Sequence, residues 1–152
     1  MTFLDGEHVL SCIYTAIADP WTSSSGRNSL SIWTHNLRGI NVTIGDARAK
    51  KYGGVAAVKI AAGMRMGEIY AEVAKYNVTV VGGADLDVGI GGWITGGGHS
   101  PISSLYGLGA DQALEMEVVT ANGTYLIINE TSYPGLFWAM RGVSTTKRSV
   151  CI

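Results

Sequence analysis

Eight glycines fall between Val80 and Gly98, in the run V-V-G-G-A-D-L-D-V-G-I-G-G-W-I-T-G-G-G, and His99 follows directly. Glycine reaches backbone conformations closed to other residues and lets another group come close to the main chain. Each ordered glycine also gives up more chain entropy than another residue would, so folding alone is a weak reason for such a concentration. The chemistry that suits it is recognition by backbone. N–H groups exposed by glycine turns can cradle an anion or ring oxygens, which fits a flat or phosphate-bearing cofactor. The bland alternative is a set of tight turns packing one element on another, and either way the run is a poor candidate for an ordinary helix or strand. Asp85 and Asp87 read first as turn caps and second as polar contacts. Trp93 and Ile94 read as anchors between two glycine clusters, with stacking of Trp93 on a ring as the alternative. His99 can do acid/base work, but spacing places no carboxylate beside it, and the catalytic residues stay unknown.

The elements that must position this run are short. Residues 1 to 29 yield one apolar element, Val9 to Ala18, ended by Pro20, and then a Ser/Gly/Arg/Asn loop. Leu30 to Trp33 and Ile40 to Ile44 read as short strands around a turn at His35-Asn36, where His35 reads first as a turn or capping residue and second as a site residue. Ala47 to Gly54 reads as a surface hairpin or loop, and Val55 to Ala62 as a strand. Gly67 to Tyr76 is the one clear helix, with Ile69, Val73 and Tyr76 on one stripe and Glu68, Glu72 and Lys75 facing water. Asn77 is its stop signal. Val78 to Val81 reads as a strand leading into the glycines, but no G-x-G-x-x-G opens a helix after a strand, so the dinucleotide fingerprint is absent. Leu105 to Gly109 is an apolar link. Ala113 to Thr120 and Thr124 to Ile128 form a hairpin about Asn122-Gly123, with Glu115 and Glu117 on a solvated face. Pro134 to Met140 is a helical turn or two with Phe137 and Trp138 as core anchors, and the last ten residues lose their rhythm and fray.

Composition narrows the partners. The 152 residues carry a net charge of −1, which gives no electrostatic case for nucleic acid or an acidic membrane surface. A hydrophobic content of 47% argues against disorder, and no stretch has the roughly 18 apolar residues of a membrane span. Cys12 and Cys151 are too few to form a metal site alone or to declare a redox compartment. Four acceptor sequons, at Asn41, Asn77, Asn122 and Asn129, lean toward a secreted glycoprotein, although Met1 to Pro20 lacks the form of a signal peptide.

Six segments together resemble a known family: S-L-S-I-W-T-H-N-L-R-G-I at 29 to 40, T-V-V-G-G at 79 to 83, V-G-I-G-G-W-I-T-G-G-G-H-S at 88 to 100, Y-G-L-G-A-D at 106 to 111, E-V-V-T-A-N-G at 117 to 123 and L-F-W-A-M-R-G at 136 to 142. In this order they are similar to the FAD-binding domain of berberine-bridge-enzyme-like flavoprotein oxidases, of the vanillyl-alcohol-oxidase type, and to their fungal secreted members above all. The resemblance implies an α+β fold, here a partial PCMH-type FAD-binding domain with short strands, one clear helix and a C-terminal hairpin. It divides the chain into a poorly matched segment 1 to 22, the partial FAD-binding domain 23 to 142, and a divergent tail 143 to 152. The expected cofactor contacts are Gly82, Gly83, Asp85, Gly89, Gly91, Gly92, Gly96, Gly97, Gly98 and His99. Asp85 stands where many relatives have a flavin-linking cysteine, and Ser23-Ser24-Ser25-Gly26-Arg27 lacks the flavin-linking histidine, so the FAD is expected to be non-covalent. The family further implies oxidation of a small organic molecule or sugar. A first lobe upstream and a substrate domain downstream are expected to be missing, leaving a chain truncated at both ends that is prone to self-association through exposed edges. A noncatalytic binding remnant of the same fold is the alternative.

Overall fold

The computed structural model describes residues 34–51, 53–120, 122–142 and 150–151. The expected strand Leu30 to Trp33, the apolar element Val9 to Ala18 and the Ser/Gly loop lie outside these residues.

Strand β1 (Ile40–Ile44) pairs antiparallel with β2 (Ala56–Ile60), with Val42 opposite Val58. Ala47–Lys51 between them is not a loop but a short helix, α1. Asp46 starts it by accepting the backbone N–H of Arg48 at 2.8 Å, and buried Ala49 holds it to the body. Helix α2 (Met66–Ala74) presents Met66, Ile69 and Val73 to a core completed by Ala61, Met64 and Ile90, with Ile40, Val42, Val58 and Ile60 packed against it. The spacing i, i+3, i+7 is that of one helical face. Glu68 accepts the N–H of Arg65 at 2.9 Å at the start, and Asn77 closes the helix with φ +54°. Tyr76 lies beyond the last turn and is exposed rather than on the stripe.

A second core is built on the hairpin of β3 (Glu115–Thr120) and β4 (Tyr125–Asn129), in which Val118 faces Leu126 and Gly123, with φ +82°, makes the turn. Helix α5 (Pro134–Met140) begins with proline in its first turn, where the missing N–H costs nothing. It buries Phe137 and Met140 on Met116, Val118 and Ile128. Strand β5 (Val150–Cys151) adds antiparallel to β3, so the sheet order is β4-β3-β5 and part of the expected fraying tail is paired.

The α+β class with short antiparallel strands stands, but the expectation of one clear helix is corrected: α2 and α5 are both seven residues or longer. Seven residues are too few for periodicity to separate a helix from a turn or two. Two side chains are corrected as well. Trp138 is 73% exposed, because it is the immediate neighbour of buried Phe137 and adjacent helical positions do not share a face. Glu117 is buried rather than solvated, since Lys59 of β2 crosses to its carboxylate.

Candidate functional site

The glycine run opens with an extended stretch in which the expected strand Val78 to Val81 is not formed. Val78 and Val80 pack on the first core, yet among the described residues no strand pairs with them. The run then contains a helix that the glycine count hid: α3 (Ile90–Thr95), sequence I-G-G-W-I-T. It puts Trp93 against the first core and Ile94 against the second. Two short helical turns follow, α4 (Ser103–Tyr106) and a 3-10 turn at Gly109–Gln112, where an apolar link was expected.

Two aromatic rings account for several glycines. Tyr70 of α2 is half-buried, and burial pushes its phenol above the ordinary tyrosine range. It therefore stays protonated and donates to the Gly83 carbonyl at 2.7 Å. A Cβ at Gly82 would overlap that phenol. Trp93 donates its indole N–H to the His99 carbonyl at 3.1 Å. Its indole would stand 3.2 Å from a Cβ at Gly83 and 3.0 Å from one at Gly98, and one at Gly109 would fall inside the ring. Gly97 and Gly98 have φ +99° and +71° and accept the N–H groups of Ala110 and Gly109 at 3.1 and 2.7 Å. Trp93 is thus an anchor. A Cβ at Gly91 would come within 3.4 Å of the Ala62 carbonyl, and one at Gly96 within 3.3 Å of the Gly92 carbonyl. Tyr70 and Gly109 are not among the contacts expected from the sequence. Tyr70 was legible as the flank of the α2 stripe, whereas Gly109 becomes meaningful only once the Trp93 ring is located.

Gly89 differs from these. It has φ −75° and ψ 133°, which any residue adopts, and among the described residues a Cβ built there meets nothing within 4 Å. Neither conformation nor the packing of the described residues asks for glycine at this position. Gly82 and Gly83 add a second anomaly. Both are buried, and among the described residues neither N–H has an acceptor. A buried, unmet N–H costs about 1–3 kcal/mol, so such groups are ordinarily paired.

The polar candidates separate. Asp85 is exposed and its carboxylate accepts the Asp87 N–H at 2.9 Å, which is a turn cap. Asp87 accepts from Arg65 at 3.2 Å. The His99 side chain is exposed, and its carbonyl is the group held by Trp93. His35 sits in the 3-10 turn Thr34–Asn36. A groove of about 370 Å³ lies elsewhere, on β1 and β2 beside Asn36, Arg38, Asn41 and Lys59. Its two cations are engaged by Glu68 and Glu117, so it does not extend the glycine site. Among the described residues there is no cluster able to hold a metal ion and no helix long and apolar enough to cross a membrane.

The profile of a family described as FAD binding domain matches residues 23–129. The FAD-linked oxidoreductase phmC of Phaeosphaeria nodorum is 40% identical over 122 residues, which are 78% of this chain and 28% of that protein. The VAO-type flavoprotein oxidase VAO615 of Thermothelomyces thermophilus is 44% identical over 120 residues, covering 78% of this chain and 21% of that one. Among solved structures, the VAO-type flavoprotein MtVAO615 from Myceliophthora thermophila C1 superimposes with a TM-score of 0.72 at 38% identity, over 82% of this chain and 23% of the other. The chain spans between a fifth and about three tenths of the length of these relatives.

Proposed function

This chain belongs to the FAD-binding domain family of the VAO-type flavoproteins, and we propose that it supplies one wall of a non-covalent FAD site in an oxidoreductase acting on a small organic molecule or sugar. The observation that carries the reading is Gly89. Gly135 and Gly142 are equally unconstrained but exposed and outside the run, whereas Gly89 is half-buried within it, where a partner outside the protein would lie against it. The N–H groups of Gly82 and Gly83, without an acceptor among the described residues, fit the same partner, because a flavin ring offers carbonyl and nitrogen acceptors.

In this reading the residues divide by task. Gly82 and Gly83 present backbone donors, and the Tyr70 phenol fixes their orientation through the Gly83 carbonyl. Gly89, Gly91 and Gly92 keep the approach free of side chains. Trp93 sets the path of Gly96, Gly97, Gly98 and His99, leaving the imidazole free to reach the cofactor edge, and Asp85 shapes the turn beside them. FAD, when bound, supplies the redox chemistry by accepting a hydride from a substrate carbon. Asp85 in place of a thiol supports non-covalent retention. The domain division at 22 and 142, entry into the secretory pathway, a small-molecule rather than nucleic-acid partner and self-association through exposed edges belong to the same proposal.

The test is reconstitution of the full chain with excess FAD, followed by gel filtration and an absorbance spectrum. A retained flavin band in the monomer peak, at close to one flavin per chain, is expected. Gly89→Val should lose most of that band with an unchanged unfolding midpoint. A folded wild-type chain that keeps no flavin, or a Gly89→Val variant that keeps it fully, would overturn the assignment.

A further inference from the structure

We propose that Asn77 is an N-linked glycan attachment site and that Asn129, although it heads the same Asn-x-Thr pattern, is not. The inference rests on the secretory reading above, and its readout is independent of flavin binding.

All four sequons lie among the described residues, and their asparagines are differently engaged. Asn129 is half-buried at the end of β4. Its amide nitrogen donates to Glu115 at 3.0 Å, while its side-chain oxygen accepts from the Thr131 N–H, the Thr131 hydroxyl and the Ser132 N–H at 3.0, 2.9 and 2.8 Å. That side chain caps the turn into α5 and ties it to β3. A sugar on its nitrogen would replace one of the two amide protons and crowd the Glu115 carboxylate held 3.0 Å away. Asn41 and Asn122 are exposed, but each has its side-chain oxygen bonded, to the Thr43 hydroxyl at 3.4 Å and to the Thr124 N–H at 3.1 Å respectively.

Asn77 has none of these ties among the described residues. It is exposed, three positions past Ala74 at the end of α2, in the left-handed conformation that asparagine tolerates better than most residues. Thr79, the hydroxyl residue of its sequon, is exposed as well. Tyr76 beside it is 47% exposed, although the helical pattern placed it on the buried stripe. An exposed aromatic face next to the attachment point suits the apolar face of a first sugar ring. In the transfer, Asn77 Nδ2 bonds to the anomeric carbon of a lipid-pyrophosphate-linked oligosaccharide. The carbon–oxygen bond to the pyrophosphate breaks, the lipid pyrophosphate leaves, and one amide proton passes to the transferase base.

The full chain fused to a cleavable secretory leader, made in a glycosylating eukaryotic host, provides the test, because the leader supplies entry to the compartment. The folded monomer fraction is treated with peptide N-glycosidase in ¹⁸O-water, and its peptides are weighed. Conversion of Asn77 to ¹⁸O-labelled aspartate in most chains is expected, with Asn129 unlabelled. Thr79→Ala should abolish the Asn77 label while leaving the backbone at Asn77 and the unfolding midpoint unchanged, whereas Asn77→Gln would also strain the φ +54° position. An unlabelled Asn77 or a labelled Asn129 in the folded fraction would overturn the proposal. If little folded chain is secreted, translation into microsomes reads Asn77 as one glycan lost in Thr79→Ala, and no loss there would overturn it equally. The flavin band of the same samples reports on the cofactor wall separately.

Discussion

The glycine run and the β3–β4 hairpin with α5 are built on opposite principles. In the hairpin, β3 and β4 pair from Glu115 opposite Asn129 to Val119 opposite Tyr125, and shape is fixed by side chains: Phe137, Met116, Ile128 and Val118 are all nearly inaccessible. In the run, eight of nineteen residues carry no side chain and shape is fixed by two rings, Tyr70 and Trp93, against which bare backbone is laid. The hairpin's buried side chains are met by those of α5. The run leaves Gly89, and the N–H groups of Gly82 and Gly83, with nothing in the described protein to answer them. A region that satisfies itself is scaffold, and one that does not is where a partner belongs.

The largest effect should come from the side-chain-built half. Phe137→Ala removes a buried ring from the second core and should cost about 3–5 kcal/mol. Urea unfolding would show this as a lowered midpoint, and a loss under 1 kcal/mol would mean that this core is not the scaffold described. Next is the ring-built half. Gly109→Ala drives a methyl into Trp93 and should destabilise by about 1–3 kcal/mol. Trp93→Ala empties the same space, so the double variant should be much less destabilised than the sum of the two. Additivity in that cycle would show that ring and glycine do not share one constraint.

A smaller effect concerns the seam between the halves. Burial raises the Glu117 carboxyl, but hydrogen bonds from Lys59 and Tyr125 outweigh it, and the group is held below the ordinary carboxylate range. One carboxylate oxygen is buried without a partner among the described residues, so the pair is imperfectly satisfied. With the folded pKa depressed, the contribution is present above the unfolded value and lost as pH falls through the folded one. Glu117→Gln should therefore flatten the acid limb of a stability–pH curve and lower stability at pH 7 by on the order of 1 kcal/mol. An unchanged acid limb would remove Glu117 from the seam.

How far the sequence was legible follows the same division. The α2 stripe at Ile69 and Val73, the Asn122-Gly123 turn and the strand alternation at Met116 and Val118 are local patterns, and each is found where the pattern placed it. Glu117 and Trp138 were misplaced because their burial is decided by Lys59 of another strand and by the facing of a seven-residue helix. Val78 to Val81 has the composition of a strand, but a ladder needs a neighbour, and the described residues provide none. In the glycine run the composition signalled a special surface without saying which glycines serve it. That sorting depends on where Tyr70 and Trp93 lie, which no spacing within the run encodes.

The smallest effect is the most discriminating. Gly89→Ala introduces a methyl into open space at an ordinary backbone conformation. It should leave the unfolding midpoint unchanged or raise stability by up to about 1 kcal/mol, because alanine narrows the unfolded ensemble. Gly82→Ala, seven residues earlier, should instead destabilise by about 1–3 kcal/mol through its overlap with the Tyr70 phenol. Both substitutions delete one glycine and add one carbon, so composition cannot distinguish them. Equal losses in a thermal melt would mean that Gly89 is also consumed by the fold, and the division between a self-satisfied scaffold and an unanswered wall would fail at the residue that defines it.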